Sequence, residues 1–328
     1  MNDQCPGFSH LLIFPRRRVQ NANAISSPLT HGFPSMTAFI GLMWALQRKA
    51  RLAGVEDIRF RAIGVICHRH QELVTGRYDK AFRLTRNPIG KDGKIAAIVE
   101  EGRIHLDISL VLAVEAPMIG RDRDSDQALA ARLGDSLETM RIAGGTQLSA
   151  GPRSQPYWAA MTGDAEGRNA VFRSTILRLL PGFALVSRDD LLSETLEAQR
   201  KHNPDATVLD AWLTCSRWNH RYDSSERKWV QDRSKGSGWI VPIPVGYTAL
   251  TDLQPAGSVV NARDADTPFR FVESLYSLGQ WIGPHRIEYP GQLLWYPDTQ
   301  ADTGVYRCRN DFINPQMPAD ELDWLEDA

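Results

Sequence analysis

The sequence predicts an α+β fold, and three observations carry the prediction. Residues 103–115 alternate without a break, with Ile104, Leu106, Ile108, Leu110, Leu112 and Val114 on one face, as a half-buried strand requires. Met36, Phe39, Ile40 and Met43 recur at helical spacing. The elements then follow one another as strand, helix, strand, hairpin, strand, helix. The first strand is the short apolar run 10–14. The helix spans 35–50, with Arg48, Lys49 and Arg51 suited to its negative C-terminal end. Residues 58–67, rich in Ile and Val, make the second strand. Residues 76–99 read as a hairpin excursion with Asp92-Gly93 at its tip. After the strand 103–115, a second helix spans 125–143 and stops at Gly144-Gly145.

That order matches the split βαβ plan of ferredoxin-like domains, which RNA-recognition domains use and many unrelated proteins share. The second half is less regular. Residues 151–167 are rich in Gly, Pro and Ser and read as loop. Residues 183–187 read as a strand, 189–201 and 205–215 as helices, and 218–238 as an exposed polar and aromatic loop. Pro242 and Pro244 confine any strand over 238–247 to a sheet edge. Thr267-Pro268 has the chemistry of a helix start, so a helix is expected to about Trp281. Residues 293–296 and 305–308 suit a last hairpin. The expected organisation is a core over 1–150 and a C-terminal half over 151–328.

Composition narrows the function. With 42% hydrophobic and 23% charged residues, the chain is neither a disordered tail nor a disulfide scaffold. Cys5, Cys67, Cys215 and Cys308 are too scattered for a zinc or redox pair. No apolar run spans a bilayer and the start lacks a signal core, so the expected location is the cytoplasm. The net charge of -1 hides an asymmetry: residues 1–110 hold 16 Lys/Arg and 9 Asp/Glu, a net of +7, and the rest is acidic. A split of that kind suits a polyanion on one surface and another partner elsewhere, or it is a chance distribution of solvated charges.

Several catalytic signatures are missing. No Gly-x-Gly-x-x-Gly opens a helix, and the Gly93-Lys94 pair lacks both the leading Gly and the trailing Ser or Thr of a phosphate loop. No Gly-x-Ser-x-Gly elbow is present. His68, His70 and Glu72 would share a face in an extended strand, as a metal triad or an acid–base pair would need; the alternative is a solvated strand end.

The remaining candidates favour nucleic acid. Arg16, Arg17 and Arg18 follow directly on the first strand, and a guanidinium fork fits phosphate oxygens. Asn21 and Asn23 offer donor and acceptor together, which suits base edges, or they cap a turn. The hairpin carries Arg77, Lys80, Arg83, Arg86, Lys91 and Lys94 against two acids, with Asn87 beside Arg86. Arg263, ahead of Thr267, either pairs locally with Asp264 or Asp266 or reaches a phosphate.

Six segments carry a family resemblance: QNANAISSPLTHGFPS (20–35), LTRNP (84–88), AAIVEEGR (96–103), RLLPGFALVSR (178–188), VPIPVGY (241–247) and NARDADTPFRFVE (261–273). Together they resemble the second Csy subunit of the type I-F CRISPR Cascade, the Cas-five-like member of the RAMP superfamily, from about Leu11 to Phe312. The resemblance implies a ferredoxin-like core with a projecting hairpin thumb. It implies a non-catalytic subunit that holds the 5′ handle of the CRISPR RNA and pairs with the large Csy subunit. The backbone Csy subunits would follow along the guide, and the target duplex would enter near the protospacer-adjacent motif. No cofactor, metal or membrane is expected. The RNA-contact candidates are Arg16, Arg18, Gln20, Asn21, Asn23, Arg83, Arg86, Asn87, Lys91, Lys94 and Arg263; Arg17 and Arg18 are less typical of the family. The alternatives are a RAMP-type endonuclease that processes CRISPR RNA, with His68 or His70 in its chemistry, and a purely protein-binding adaptor.

Overall fold

The computed structural model describes residues 4–76, 79–86, 89–90, 92–95, 97–149, 151, 154–218, 220–231, 238–262 and 264–312. Strand β1 (His10–Asn23) is followed by helix α1 (Met36–Leu52), strands β2 (Arg59–Glu72) and β3 (Arg103–Glu115), and helix α2 (Arg123–Glu138). β1 and β2 both pair antiparallel with β3, which lies between them. Gly145–Gln147 and β4 (Tyr157–Ala160) share the outer edge of β1. The strand order is therefore fourth, first, third, second, all antiparallel.

The two helices cover one face of this sheet. The six alternating residues of β3 are buried there with Met36, Phe39, Ile40 and Met43 of α1 and Leu133 and Leu137 of α2. α1 begins where Ser35 Oγ accepts the Thr37 N–H at 3.1 Å, and Lys49 and Arg51 occupy its last turn. α2 ends five residues before the expected stop. Arg141–Ile142 leave the helix to pair with Gly145–Gln147, across a turn in which Ala143 and Gly144 take positive φ.

The second half departs further from expectation. The loop expected over 151–167 contains β4 and the start of α3 (Ala165–Leu177), capped by the Asp164 side chain on the Gly167 N–H. β5 (Phe183–Ser187), α4 (Asp189–Arg200) and α5 (Val208–Ser216) lie where expected, the last with a full capping box between Thr207 and Asp210. The expected exposed loop over 218–238 contains a two-stranded ladder, His220–Asp223 with Lys228–Gln231. The helix expected after Thr267 is absent: Val272–Ile282 forms strand β7, paired along its length with β6 (Trp239–Ala249). The cap-like residues serve a turn instead, in which Asp264 Oδ1 accepts the N–H groups of Asp266 and Thr267. Ser277, Leu278, Gln280 and Ile282 are buried, so packing overrides the local helix signal.

The sheet continues across the chain midpoint. β5 pairs with the outer edge of β2 (Ala184 opposite Ile66), β7 with β5, and β6 with β7. Pro242 and Pro244 occupy the stretch of β6 with one strand neighbour, and β9 (Val305–Asn310) joins only at Gly246 to Thr248. β8 (Trp295–Gln300) pairs with β9 and returns to β2 through Trp295 opposite Ile63. The circuit thus closes on itself, with β2 common to both halves. Trp295 is fully buried and its indole N–H donates to the Leu185 carbonyl at 2.9 Å. Among the described residues no helix is long and apolar enough to cross a membrane.

Candidate nucleic-acid interface

The three arginines do not follow β1 as a loop, because β1 runs on to Asn23. Two irregularities decide where its side chains point. The register with β3 shifts between Phe14 and Arg17 and again between Val19 and Ala22. At these bulges Arg16 and Asn21 take φ of 49° and 55°. Simple alternation from Leu12 and Phe14 would place Arg16 in the core. The first bulge puts Arg17 there instead, followed by Val19 and Ala22, and turns Arg18, Gln20, Asn21 and Asn23 to solvent.

Arg17 is consequently structural. Its Nη1 donates to Glu138 at 3.1 Å, its Nη2 donates to the buried Ser154 carbonyl at 3.0 Å, and its guanidinium lies 5.5 Å from the Phe14 ring centre. Arg16 is half-buried: its main-chain N–H donates to Ser109 Oγ and its Nη2 to the Leu180 carbonyl, both at 2.9 Å. It fastens the bulge and is not part of the open cleft.

The second face of the sheet is covered by α3, β5 and their neighbours only over the first half of β1. Beyond that it is open. Directly opposed residues of antiparallel strands share a face. One row is therefore Arg18, Asp107 and Arg69, and the next places His105 opposite Gln71 beside Gln20. These residues line a cleft of about 280 Å³. Asp107 lies between the two arginines, and its Oδ1 is buried without a hydrogen-bond partner. The arginines of this row suit phosphates and the amides of the next suit base edges.

A second cleft, of about 430 Å³, adjoins the first. Asn21 and Arg83 meet there with Arg141 and with Arg103, whose guanidinium is paired with Glu101 of the same cleft at 2.6 Å. The two clefts meet where the Asn21 N–H donates to His105 Nδ1 at 3.2 Å. Two segments far apart in sequence, the β1 bulge and the hairpin base, thus converge on one basic surface.

The other candidates are distributed differently. Asn23 serves a turn: its Oδ1 accepts the Ile25 N–H at 3.1 Å and its Nδ2 donates to the Ile25 carbonyl at 2.7 Å. The excursion is built from two short ladders, Val74–Thr75 with Ala81–Phe82 and Leu84–Arg86 with Ile98–Glu100. Its tip turns at Gly93, and exposed Lys94 lies 3.6 Å from Asp92, away from both clefts. Arg86 sits on the second ladder, and its side chain lies outside the described residues, as do Asn87, Lys91 and Arg263. Sequence reasoning missed Arg69, Arg103, His105, Asp107 and Arg141. The polar positions of β3 already placed Arg103, His105 and Asp107 on one face; what was missing was knowledge that this face is uncovered.

The expected alignment of His68, His70 and Glu72 is overturned by another bulge, between Cys67 and Arg69. His68 turns to the same side as Ser109, with Nε2 at 2.7 Å from Ser109 Oγ and Nδ1 at 2.7 Å from the Pro181 carbonyl. Glu72, on the opposite face, meets His31 at 2.8 Å. Burial lowers the His68 pKa, opposed by the hydrogen bond to Pro181 and aided by Arg16 nearby. His68 is therefore a neutral ring with Nδ1–H donating to Pro181 and Nε2 accepting from Ser109. Burial, with Asp107 nearby, pushes the Cys67 thiol up to about 12, which removes it as a nucleophile. No cluster of three His, Cys, Asp or Glu among the described residues is placed to hold a metal ion.

Comparison with known proteins agrees with the resemblance. The model of the family described as CRISPR-associated protein (Cas_Csy2) matches residues 12–308. A protein described as CRISPR-associated protein Csy2, from Pseudomonas aeruginosa (strain UCBPP-PA14), is 45% identical over 314 residues, covering 90% of this chain and 94% of its own length. This chain belongs to the Csy2 family of CRISPR-associated proteins and is the second Csy subunit of a type I-F Csy complex.

Proposed function

We propose that this subunit holds the 5′ handle of the CRISPR RNA on the open half of its sheet and does not itself cleave nucleic acid. The observation that carries the reading is the pair of adjoining clefts in which Arg18, Arg69, Arg83, Arg103 and Arg141 surround the amides and rings of Gln20, Asn21, Gln71 and His105. Arg18, Arg69, Arg83 and Arg141 would neutralise phosphates, and the amides would read splayed bases. The order fourth-first-third-second, with both helices on one face, supports a ferredoxin-like core of the RAMP type with the 76–99 excursion as its thumb. The acidic C-terminal half would pair with the large Csy subunit, next to the backbone subunits and the incoming target duplex, in the cytoplasm.

The test is crosslinking with peptide mapping on the assembled complex, with photoreactive nucleotides in the handle. Crosslinks to β1 beyond Arg18, to Arg69 to Gln71 or to the hairpin base are expected. Crosslinks confined to other surfaces would overturn the site. Repeat-RNA cleavage by this chain that His70→Ala abolishes would replace the non-catalytic reading with the endonuclease one.

A further inference from the structure

The ladder His220–Asp223 with Lys228–Gln231 has no part in the clefts above, yet it exposes a regular set of rings. In its register Tyr222 lies opposite Trp229, and His220 opposite Gln231. Alternation puts these pairs on one face of the ladder. Trp218 stacks on His220, with ring centres 6.4 Å apart and planes within 8°. The Tyr222 and Trp229 rings are 5.6 Å apart at 65°. Trp218, His220 and Tyr222 fall at every second residue, and Trp229 adds a fourth ring across the strands. Trp218 is 57% exposed, Tyr222 51% and Trp229 68%.

The platform is held in place from both ends. Its turn is organised by Asp223, whose Oδ1 accepts from the N–H groups of Ser225 and Glu226 and from Ser225 Oγ. Its root is the C-terminus of α5, where the Arg217 N–H donates to the Leu213 carbonyl, and α5 is docked by the Trp212 indole N–H on the Ser277 carbonyl of β7. Residues 217–231 carry four bases, Arg217, Arg221, Arg227 and Lys228, against two acids, and one of those acids, Glu226, pairs with Lys228 at 2.5 Å. Exposed Arg217 directly precedes Trp218 and exposed Arg227 lies in the turn, while Arg221, opposite Val230, is on the other face of the ladder.

We infer that this hairpin is a second nucleic-acid site, a stacking platform for the unpaired bases of a single strand. Successive rings every two residues along a strand match successive bases of an extended single strand, and every base offers a face to stack. Arginines on the flanks neutralise its phosphates. The inference does not rest on the handle-binding reading, since the platform shares no residue with those clefts.

The experiment uses the assembled complex with its guide RNA bound, so that the handle site is filled. Fluorescent dT15 and U15 are the probes. Trp229→Ala or Tyr222→Ala is expected to weaken probe binding about tenfold, with Trp229→Phe retaining most of it. Arg217→Ala is expected to make the salt dependence shallower by about 0.7 in logarithmic slope. Unchanged probe affinity in both ring variants overturns the proposal. So does poorer complex assembly with normal probe affinity in the complexes that form, which would make the hairpin a protein-binding surface. Crosslinking with iodinated uracil in the guide RNA, or in either strand of a bound target DNA, names the source of the strand; failure of all three to reach the hairpin also overturns the proposal.

Discussion

Arg17 and Arg18 are neighbours with opposite fates, and Arg17→Ala tests the bulge that separates them. The Arg17 side chain is 2% exposed and Glu138 is 37% exposed. Loss of the guanidinium leaves the Ser154 carbonyl without its donor, at about 1–2 kcal/mol. The half-screened pair with Glu138 contributes about 0.5 kcal/mol. Two buried methylenes of the stem add about 1.5 kcal/mol. Against these, Arg17 Nε is buried with no acceptor, so its removal relieves a cost. The balance is a destabilisation of about 2–3 kcal/mol. With an unfolding entropy of about 2.1 cal/mol/K per residue, a chain of 328 residues loses about 4 °C in melting temperature. Arg17→Met keeps the stem and should lose about half of that. Arg18→Ala should shift the melting temperature by less than about 1 °C and weaken handle RNA binding. Calorimetry on the full chain and handle binding by the complex, run side by side, decide the matter. Normal stability with impaired RNA binding in Arg17→Ala would refute the inward placement.

Further outcomes follow from the same geometry. The double substitution Arg18→Ala with Arg69→Ala should reduce the salt slope of handle binding by about 0.7 per lost phosphate contact, and an unchanged slope in a salt titration rejects both contacts. His68 has its folded pKa depressed below the ordinary value of 6.5, so the unfolded chain binds the extra proton first. Its contribution to stability is full above about pH 6.5 and is lost as pH falls below it. Melting temperatures between pH 8 and 5 should show this decline, and His68→Gln should flatten it; equal slopes in the two proteins would remove His68 as the cause. Asn23→Ala should cost about 1 kcal/mol through its turn and leave handle sequence preference intact, which a panel of handle variants would check. At Gly246, a Cβ would lie 2.0 Å from the Tyr306 carbonyl oxygen, main chain against main chain. Gly246→Ala should therefore force β6 from β9 at about 2–4 kcal/mol, and a denaturant midpoint within error of the parent would contradict that packing.

What could be read without the structure followed physical locality. The β3 alternation and the Ser35 cap of α1 are local signals that tertiary packing reinforces, and both elements lie where they were expected. β1 was legible only to Phe14, because a strand that carries three arginines looks finished. Its continuation depends on bulges that pair it with β3, whose partner residues lie 80 to 91 positions further along the chain, and no local pattern encodes a bulge. The Thr267-Pro268 signal failed for a related reason: it is satisfied by the Asp264 turn, while the residues after it are claimed by neighbouring strands. Within the site, residue type identified Arg18, Gln20, Asn21 and Arg83 but also Arg17 and Asn23, which the fold spends on internal contacts. Arg69 and Arg141 needed the register of β2 and the turn after α2 before they could be placed beside them.

The shared strand has a consequence for the protein's birth on the ribosome. When β2 emerges, the first partner of its outer edge, Phe183 to Ala184, is still about 110 residues from synthesis. At bacterial speeds of about 5–20 residues per second that is a wait of roughly 5–20 seconds. Throughout it, the strand presents an unsatisfied backbone edge, and Leu11, Ile13, Ala62, Ile66, Val111 and Ala113 face water in place of the helices and strands that later bury them. The nascent subunit is thus a natural client for a holdase or for early pairing with a neighbouring Csy chain. Codon changes that slow translation between residues 72 and 183 should lower its soluble yield without altering a single amino acid.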